Sequence, residues 1–365
     1  MNSHERAIEL ACQLQQIPAP TFHEAERAEY MRLLFSRAGL HDVEIDATGN
    51  TWGCLPGGNQ RPLVISAHLD TVHSGNRPLT LTRTPGQITG PAIGDNALGL
   101  SALVCTAEDL MRSGACLPGP VYFVATVGEE GMGNLTGMQA VVDRLENTPA
   151  AYLILEGIGL GSVYHRALGV ERYQLQVETL GGHSWADYGR PSAIHELAEI
   201  IARLSSLSLP KKPRTTFNVG TIHGGTSINS IATTAACTID IRSEDHSTLQ
   251  KTAARIAKMV ANHSKPEVGI LFDLIGTRPA GEIPDGHPLV LLSIDCLKQL
   301  GIQPHKGIGS TDANVPLSRG FAAVCLGITT GGNAHTPSEF IHTRPVQTGV
   351  QQLSNIIQRA WETIR

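Results

Sequence analysis

The stretch "PLVISAHLDTV", residues 62–72, is apolar for most of its length and ends in two polar residues, His68 and Asp70, one position apart. Residues 62–67 read as a strand. The segments after it set the architecture. Residues 96–114, "NALGLSALVCTAEDLMRSG", predict a helix with Asp95 or Asn96 near its start and Gly114 as its stop. Residues 121–127 predict a second strand, 135–146 a second helix and 151–156 a third strand. Strands alternating with helices predict a parallel α/β sheet covered on both faces.

The middle of the chain has another pattern. Residues 172–179, "RYQLQVET", alternate as a half-exposed strand does. A helix follows, with Ile194, Leu197, Ile201 and Leu204 expected on one apolar stripe. Then come two strands ("TTFNVGTI" and "AACTIDIRS"), a helix carrying Leu249, Ala253, Ile256 and Val260, and the strand "VGILFDLI". The order β-α-β-β-α-β is that of a ferredoxin-like domain. It reads as an insertion, because a helix ("HPLVLLSIDCLKQLG"), a strand ("FAAVCLGI") and a last helix from about Arg344 resume the α/β character.

Bulk properties narrow the function. A length of 365 residues exceeds what one core supports, so two domains are expected. The net charge is −5 with no run of lysine or arginine, which argues against nucleic acid or an anionic membrane as partner. No apolar stretch reaches a membrane span, and "MNSHERAIELACQLQQ" carries charges where a signal peptide needs an apolar core. The seven cysteines are scattered with no CxxC pair, as expected for free thiols in a reducing cytoplasm.

His68 and Asp70 lie at the carboxyl end of a strand, where open α/β sheets place their ligand sites, and residues two apart share a face. A carboxylate beside a metal-binding imidazole commonly holds its other nitrogen. The same kind of placement recurs. Asp95 precedes a helix in "GPAIGDNALG", Glu129 and Glu130 follow a strand in "VGEEGMG", Glu156 ends "AYLILE", and His335 follows a strand in "TGGNAHTPSE". Gathering these carboxylates in one cleft is costly, since two like charges at 4 Å repel by roughly 4 kcal/mol at an effective dielectric near 20. Cations relieve that cost. Imidazoles and carboxylates without cysteine suit Zn²⁺, Co²⁺ or Mn²⁺, and the ligand count allows two ions bridged by one carboxylate.

The motifs "SAHLDTV", "GDNALG", "GEEG", "LEG" and "GGNAHTPSE" resemble, in order and over essentially the whole chain, those of the M20 family of dinuclear metallopeptidases and amidohydrolases. The resemblance implies a zinc-exopeptidase-like α/β catalytic domain, residues 1–168 and 283–365. It also implies an inserted ferredoxin-like (βαββαβ) lid and dimerisation domain, residues 169–282. Five residues would hold two divalent ions, Zn²⁺ first and Co²⁺ or Mn²⁺ as substitutes: His68, Asp95, Glu130, Glu156 and His335. In this scheme His68 serves one ion, Glu156 the other, and Asp95 bridges them; which ion Glu130 and His335 bind stays open. Asp70 would orient His68. Glu129 would be the general base, taking a proton from the attacking water and handing it to the leaving amine.

The same resemblance implies further roles. His183 in "LGGHSWADYG" would reach the active site of the partner in a homodimer and stabilise the oxyanion. Asn229 in "GGTSINSIA" would bind the polar end of the substrate, and Ser310 and Thr311 in "GIGSTDAN" would line the pocket with Asp312. Arg278 in "GTRPAG" is placed to fork onto a carboxylate, with surface solvation as the alternative. The expected activity is hydrolysis of short peptides by a di- or tripeptidase of the peptidase T-like branch, in the cytoplasm. Glu156 and Arg278 keep a carboxypeptidase or an N-acyl-amino-acid deacylase in play. A metal-binding protein without turnover would be marked by loss of Glu129 or of a ligand, and neither is missing.

Overall fold

The computed structural model describes residues 3–73, 75, 78–263 and 265–364. The chain divides into two compact units, Met1–Ala167 with Glu282–Arg365, and Leu168–Gly281.

In the first unit, four parallel strands form the middle of the main sheet in the order Val121–Thr126, Leu63–His68, Ala151–Ile158 and Ala323–Thr329. Every residue of Leu63–His68 and of Ala323–Thr329 is buried. Successive side chains point to opposite faces, so both faces of the sheet are covered. The helices Ser3–Gln15, Gly99–Ser113 and Val346–Thr363 pack on one another in this unit's core.

The expectation of a parallel sheet holds for this centre and fails at the edges. Thr51–Leu55 lies antiparallel to Val121–Thr126, and His41–Ile45 antiparallel to Thr51–Leu55. The link between the last two is a tight turn. Asp46 Oδ1 accepts the amides of Thr48, Gly49 and Asn50 there, and so short a connection can only fold the chain back on itself. Ser162–Ala167 likewise turns back after Ala151–Ile158 and lies antiparallel to Ala323–Thr329.

The second unit is an antiparallel sheet in the order Thr215–Gly224, Thr234–Ser243, Gly169–Thr179 and Val268–Arg278, with helices Ala193–Ser205 and His246–Ala261 packed on it. This is the expected β-α-β-β-α-β fold. Asp245 caps the second helix by accepting the Thr248 amide at 2.7 Å. Leu249, Ala253, Ile256 and Val260 are buried as expected. On the first helix the inward stripe is Ala193, Leu197, Ile200 and Leu204, whereas Ile194 is exposed and Ile201 half-buried. Positions 193, 197, 200 and 204 keep the 3.6-residue period with alanine as the first contact, a choice hidden by its small side chain.

Candidate metal centre

The parallel order brings the carboxyl ends of four strands together. His68 closes its strand opposite Thr126, and the turn after Thr126 carries Glu129 and Glu130. Glu156 does not end its strand; it lies inside Ala151–Ile158, paired with Gly327. His335 lies beyond Ala323–Thr329, at φ 67°.

Asp95 sits in an irregular turn just before helix Gly99–Ser113, and backbone contact puts it there. A side chain at Gly157 would collide with Gly94 O at 2.0 Å, so glycine beside Glu156 lets the Asp95 turn lie against the strand. Asn96, expected at a helix start, instead grips the strand on both sides of Glu156. Its Nδ2 donates to Leu155 O at 2.8 Å, and its Oδ1 accepts the Gly157 amide at 3.0 Å.

Two clusters form around Asp95, each with its candidate ligand atoms within 4.8 Å of one another: His68 with Asp95 and Glu156, and Asp95 with Glu130 and His335. Asp95 belongs to both. Its Oδ1 lies 3.0 Å from His68 Nε2, and its Oδ2 lies 3.0 Å from His335 Nε2. Glu156 Oε2 is 3.6 Å from His68 Nε2, and Glu130 Oε1 is 3.1 Å from His335 Nε2. His68 and Glu156 therefore share one cluster, contrary to the expected division between two ions. Glu130 and His335 together form the other.

The donor set fits a cation pair. Asp95 Oδ1 is buried and accepts no hydrogen bond despite its closeness to the imidazole nitrogen. Such an approach suits two ligands of one ion better than a donor and an acceptor. Titration reflects the crowding. Burial opposes charge on His68, yet Asp70, Asp95 and Glu156 outweigh it and hold the imidazole well above its ordinary value. Asp95 and Glu130 push His335 up to about 10. Burial, with the charges of Asp95 and Glu130 behind it, pushes Glu156 up to about 7 although His68 opposes the rise. Burial also opposes ionisation of Asp95, and the two imidazoles overcome it and hold that carboxyl low. A cation entering here displaces protons from the histidines.

Asp70 does more than aim a ring. Its backbone carbonyl is 3.0 Å from His68 Nδ1, closer than its carboxylate at 3.4 Å. The fully buried carboxylate accepts the amides of Glu129 at 3.0 Å and Glu130 at 2.8 Å, and the Thr21 hydroxyl at 2.9 Å. One residue thus orients the histidine and fixes the turn that carries both glutamates. The side chain of Glu129 reaches the same centre, within 4.8 Å of ligand atoms of His68 and Glu130.

Glu339 joins the site without having been expected there, although it ends the motif "GGNAHTPSE". It is fully buried, and its Oε1 accepts the amides of Gly94 at 2.7 Å and Asp95 at 2.8 Å. Burial, with the nearby Asp95 charge, pushes its carboxyl up to about 7. Glu339→Ala strips the Gly94 and Asp95 amides of their acceptor and frees the backbone that carries Asp95. Cation affinity should fall roughly 10–100-fold, as it does when outer partners are lost. Titration with Zn²⁺ against a competing chelator reads this, and unchanged affinity would remove Glu339 from the site.

Thr311 and Ser310 belong to the first unit, in the loop before the short helix Asn314–Ser318. The Thr311 hydroxyl accepts the Ala313 amide at 3.2 Å, and its own amide donates to Asn314 Oδ1 at 2.9 Å. Asp312 is turned inward and buried, accepting the Thr126 hydroxyl at 2.6 Å. His183, Asn229 and Arg278 all lie in the second unit. Arg278 is only 5% exposed, so surface solvation does not describe it. In the same unit Glu196, Glu199 and His263 form another His/Glu group, but Lys265 Nζ lies 2.7 and 3.2 Å from the two carboxylates and balances their charge.

Residues 169–268 match the model of the M20 peptidase dimerisation domain, and residues 50–171 match that of peptidase family M28. The chain is 24% identical to the uncharacterized protein YqjE of Bacillus subtilis, over 97% of this chain and 96% of that protein. Its fold is similar to that of aminopeptidase PepT from Bacillus cereus, with TM-score 0.80 and 23% identity, over 98% of this chain and 99% of that one. It is also similar to that of a tripeptidase from Staphylococcus aureus, with TM-score 0.82 and 21% identity, over 97% of this chain and 98% of that one. Among the described residues no helix is long and apolar enough to cross a membrane.

Proposed function

Because this chain has the fold of the M20 peptidases, dimerisation domain included, we propose that it is a dinuclear metal-dependent exopeptidase hydrolysing the amide bond of free di- and tripeptides. One observation carries this reading: the Asp95 carboxylate is shared between two imidazole–carboxylate clusters, with Glu129 at their edge.

His68, Asp95 and Glu156 would hold one ion, and Asp95, Glu130 and His335 the other. Zn²⁺ suits the set, with Co²⁺ or Mn²⁺ able to substitute. When bound, such a pair polarises the scissile carbonyl and readies a water for attack. Glu129 takes the proton of that water and returns it to the leaving amine. Asp70 keeps Glu129 in place through its amide. His183 donates to the oxyanion, Asn229 and Arg278 bind polar ends of the substrate, and Ser310 and Thr311 line its path.

The protein works as a homodimer through its second unit, in the cytoplasm. Trp185, Tyr188 and Ile228 are 87%, 90% and 102% exposed on that unit, an apolar surface that a second copy would cover. All seven cysteines are free, as a reducing compartment requires.

A panel of free di- and tripeptides, N-blocked peptides and N-acyl amino acids offered to the metal-loaded protein tests the substrate class. Cleavage confined to substrates with a free amino terminus is expected. Turnover of N-acyl amino acids or N-blocked peptides instead would make it a deacylase or carboxypeptidase, with the same machinery acting on a different end.

A further inference from the structure

The loop that carries His183 is built around hydrogen bonds to the histidine itself. Gly182 and His183 pair with Ile231 and Ser230 in a two-stranded ribbon, and the Ser184 amide donates to Asn229 O at 3.1 Å. The chain then turns so that the Asp187 amide donates to His183 O at 2.9 Å, while Asp187 Oδ2 accepts the His183 amide at 2.8 Å. A Cβ on Gly182, at φ 151°, would lie 2.7 Å from that same Asp187 oxygen, so only glycine admits the carboxylate so close to the backbone. Arg190 Nη2, 3.1 Å from Asp187 Oδ1, holds the other side of the carboxylate.

The closed turn points two backbone amides at the imidazole. His183 Nδ1 accepts from Trp185 N at 3.2 Å and from Ala186 N at 3.4 Å. A ring nitrogen that accepts carries no proton, so the neutral ring bears its proton on Nε2. Across the ribbon, the Asn229 carboxamide oxygen accepts from the Ser227 hydroxyl, which leaves the NH₂ group of Asn229 to donate. His183 and Asn229, both exposed, thus present N–H groups from adjacent rungs of one ribbon.

We propose that Asp187 is a positioning residue that holds the 182–187 turn closed and thereby keeps His183 in its Nε2–H form, ready to donate to a developing oxyanion. The inference rests on the reading of His183 as the oxyanion donor. It goes further in naming the residue that sets the tautomer and the form the ring must take. A donor of this kind acts only if its hydrogen already points outward when charge develops.

The test uses the full-length, metal-loaded protein labelled with ¹⁵N-histidine. Imidazole ¹⁵N shifts, with His183→Ala to assign the signal, should show His183 protonated at Nε2 and bare at Nδ1. Asp187→Ala should mix the two tautomers and lower kcat roughly tenfold or more, with KM and cation content little changed. Asp187→Asn keeps an oxygen that can accept the His183 amide, and it should recover most of the rate and the single tautomer. A wild-type His183 protonated at Nδ1 overturns the proposal whatever the variants do, as does an Asp187→Ala protein that keeps the Nε2–H signature. If His183→Ala itself leaves kcat intact, it is the oxyanion reading that fails, while the ¹⁵N shifts still judge the role of Asp187.

Discussion

Asp95→Asn is expected to empty the centre of both ions and to take hydrolysis to background. The two oxygens of Asp95 face two imidazoles, each at 3.0 Å, and both clusters count this residue among their candidate ligands. Asparagine fills the same space but removes the charge and turns one ligand oxygen into an NH₂ group that cannot bind a cation. Each cluster is left with an imidazole and one carboxylate. The loss of affinity should exceed the roughly 10–100-fold that results from removal of an outer partner. Elemental analysis after gel filtration should find the cation content fallen from two per chain to below one. The Asn96 bonds to Leu155 and Gly157 do not involve the substituted side chain, so the fold should survive, which circular dichroism checks. A variant that keeps two ions and its activity would falsify the bridging role.

Glu129→Gln should do the reverse, keeping the ions and losing the reaction. Glu129 stands outside both three-residue clusters that contain Asp95, yet its carboxylate lies within 4.8 Å of ligand atoms of His68 and Glu130. Its backbone amide is pinned by Asp70 Oδ1 at 3.0 Å, so glutamine should occupy the same position. What disappears is the ability to take a proton. General-base catalysis is worth about 100- to 10,000-fold, which corresponds to about 3–5 kcal/mol in the barrier. The expected result is a fall in kcat of that size with KM and cation content near wild type. A fall in cation content in step with the rate would make Glu129 a ligand, and an unchanged rate would end its role as base.

The neighbouring glutamates show how much of the site could be read along the chain. Residues 128–131, "GEEG", mark a polar turn after an apolar strand, and that alone placed both side chains at the edge where parallel strands end. His68 and Asp70 were readable as a pair because residues two apart share a face. The part played by the Asp70 carbonyl was not readable, because every residue has a carbonyl and only the folded turn shows which one meets His68 Nδ1. Glu339 escaped for a similar reason. Its carboxylate serves two backbone amides, Gly94 and Asp95, more than two hundred residues away, and backbone amides leave no mark in the residue pattern.

From the sequence alone came the two domain types, the parallel strands that carry the site, and the set of imidazoles and carboxylates at or near their ends, although Glu156 lies inside its strand and does not close it. Periodicity and strand-end placement are local properties, written in consecutive residues. The tertiary structure alone decided the partnerships. The strands stand in the sheet in the order Val121–Thr126, Leu63–His68, Ala151–Ile158, Ala323–Thr329, which is not their order in the chain. Lateral order and register put Glu156 beside His68, Glu130 with His335, and Asp95 between them. Hydrogen bonding between strands sets both, and it joins residues whose separation along the chain carries no information about which strand will be the neighbour.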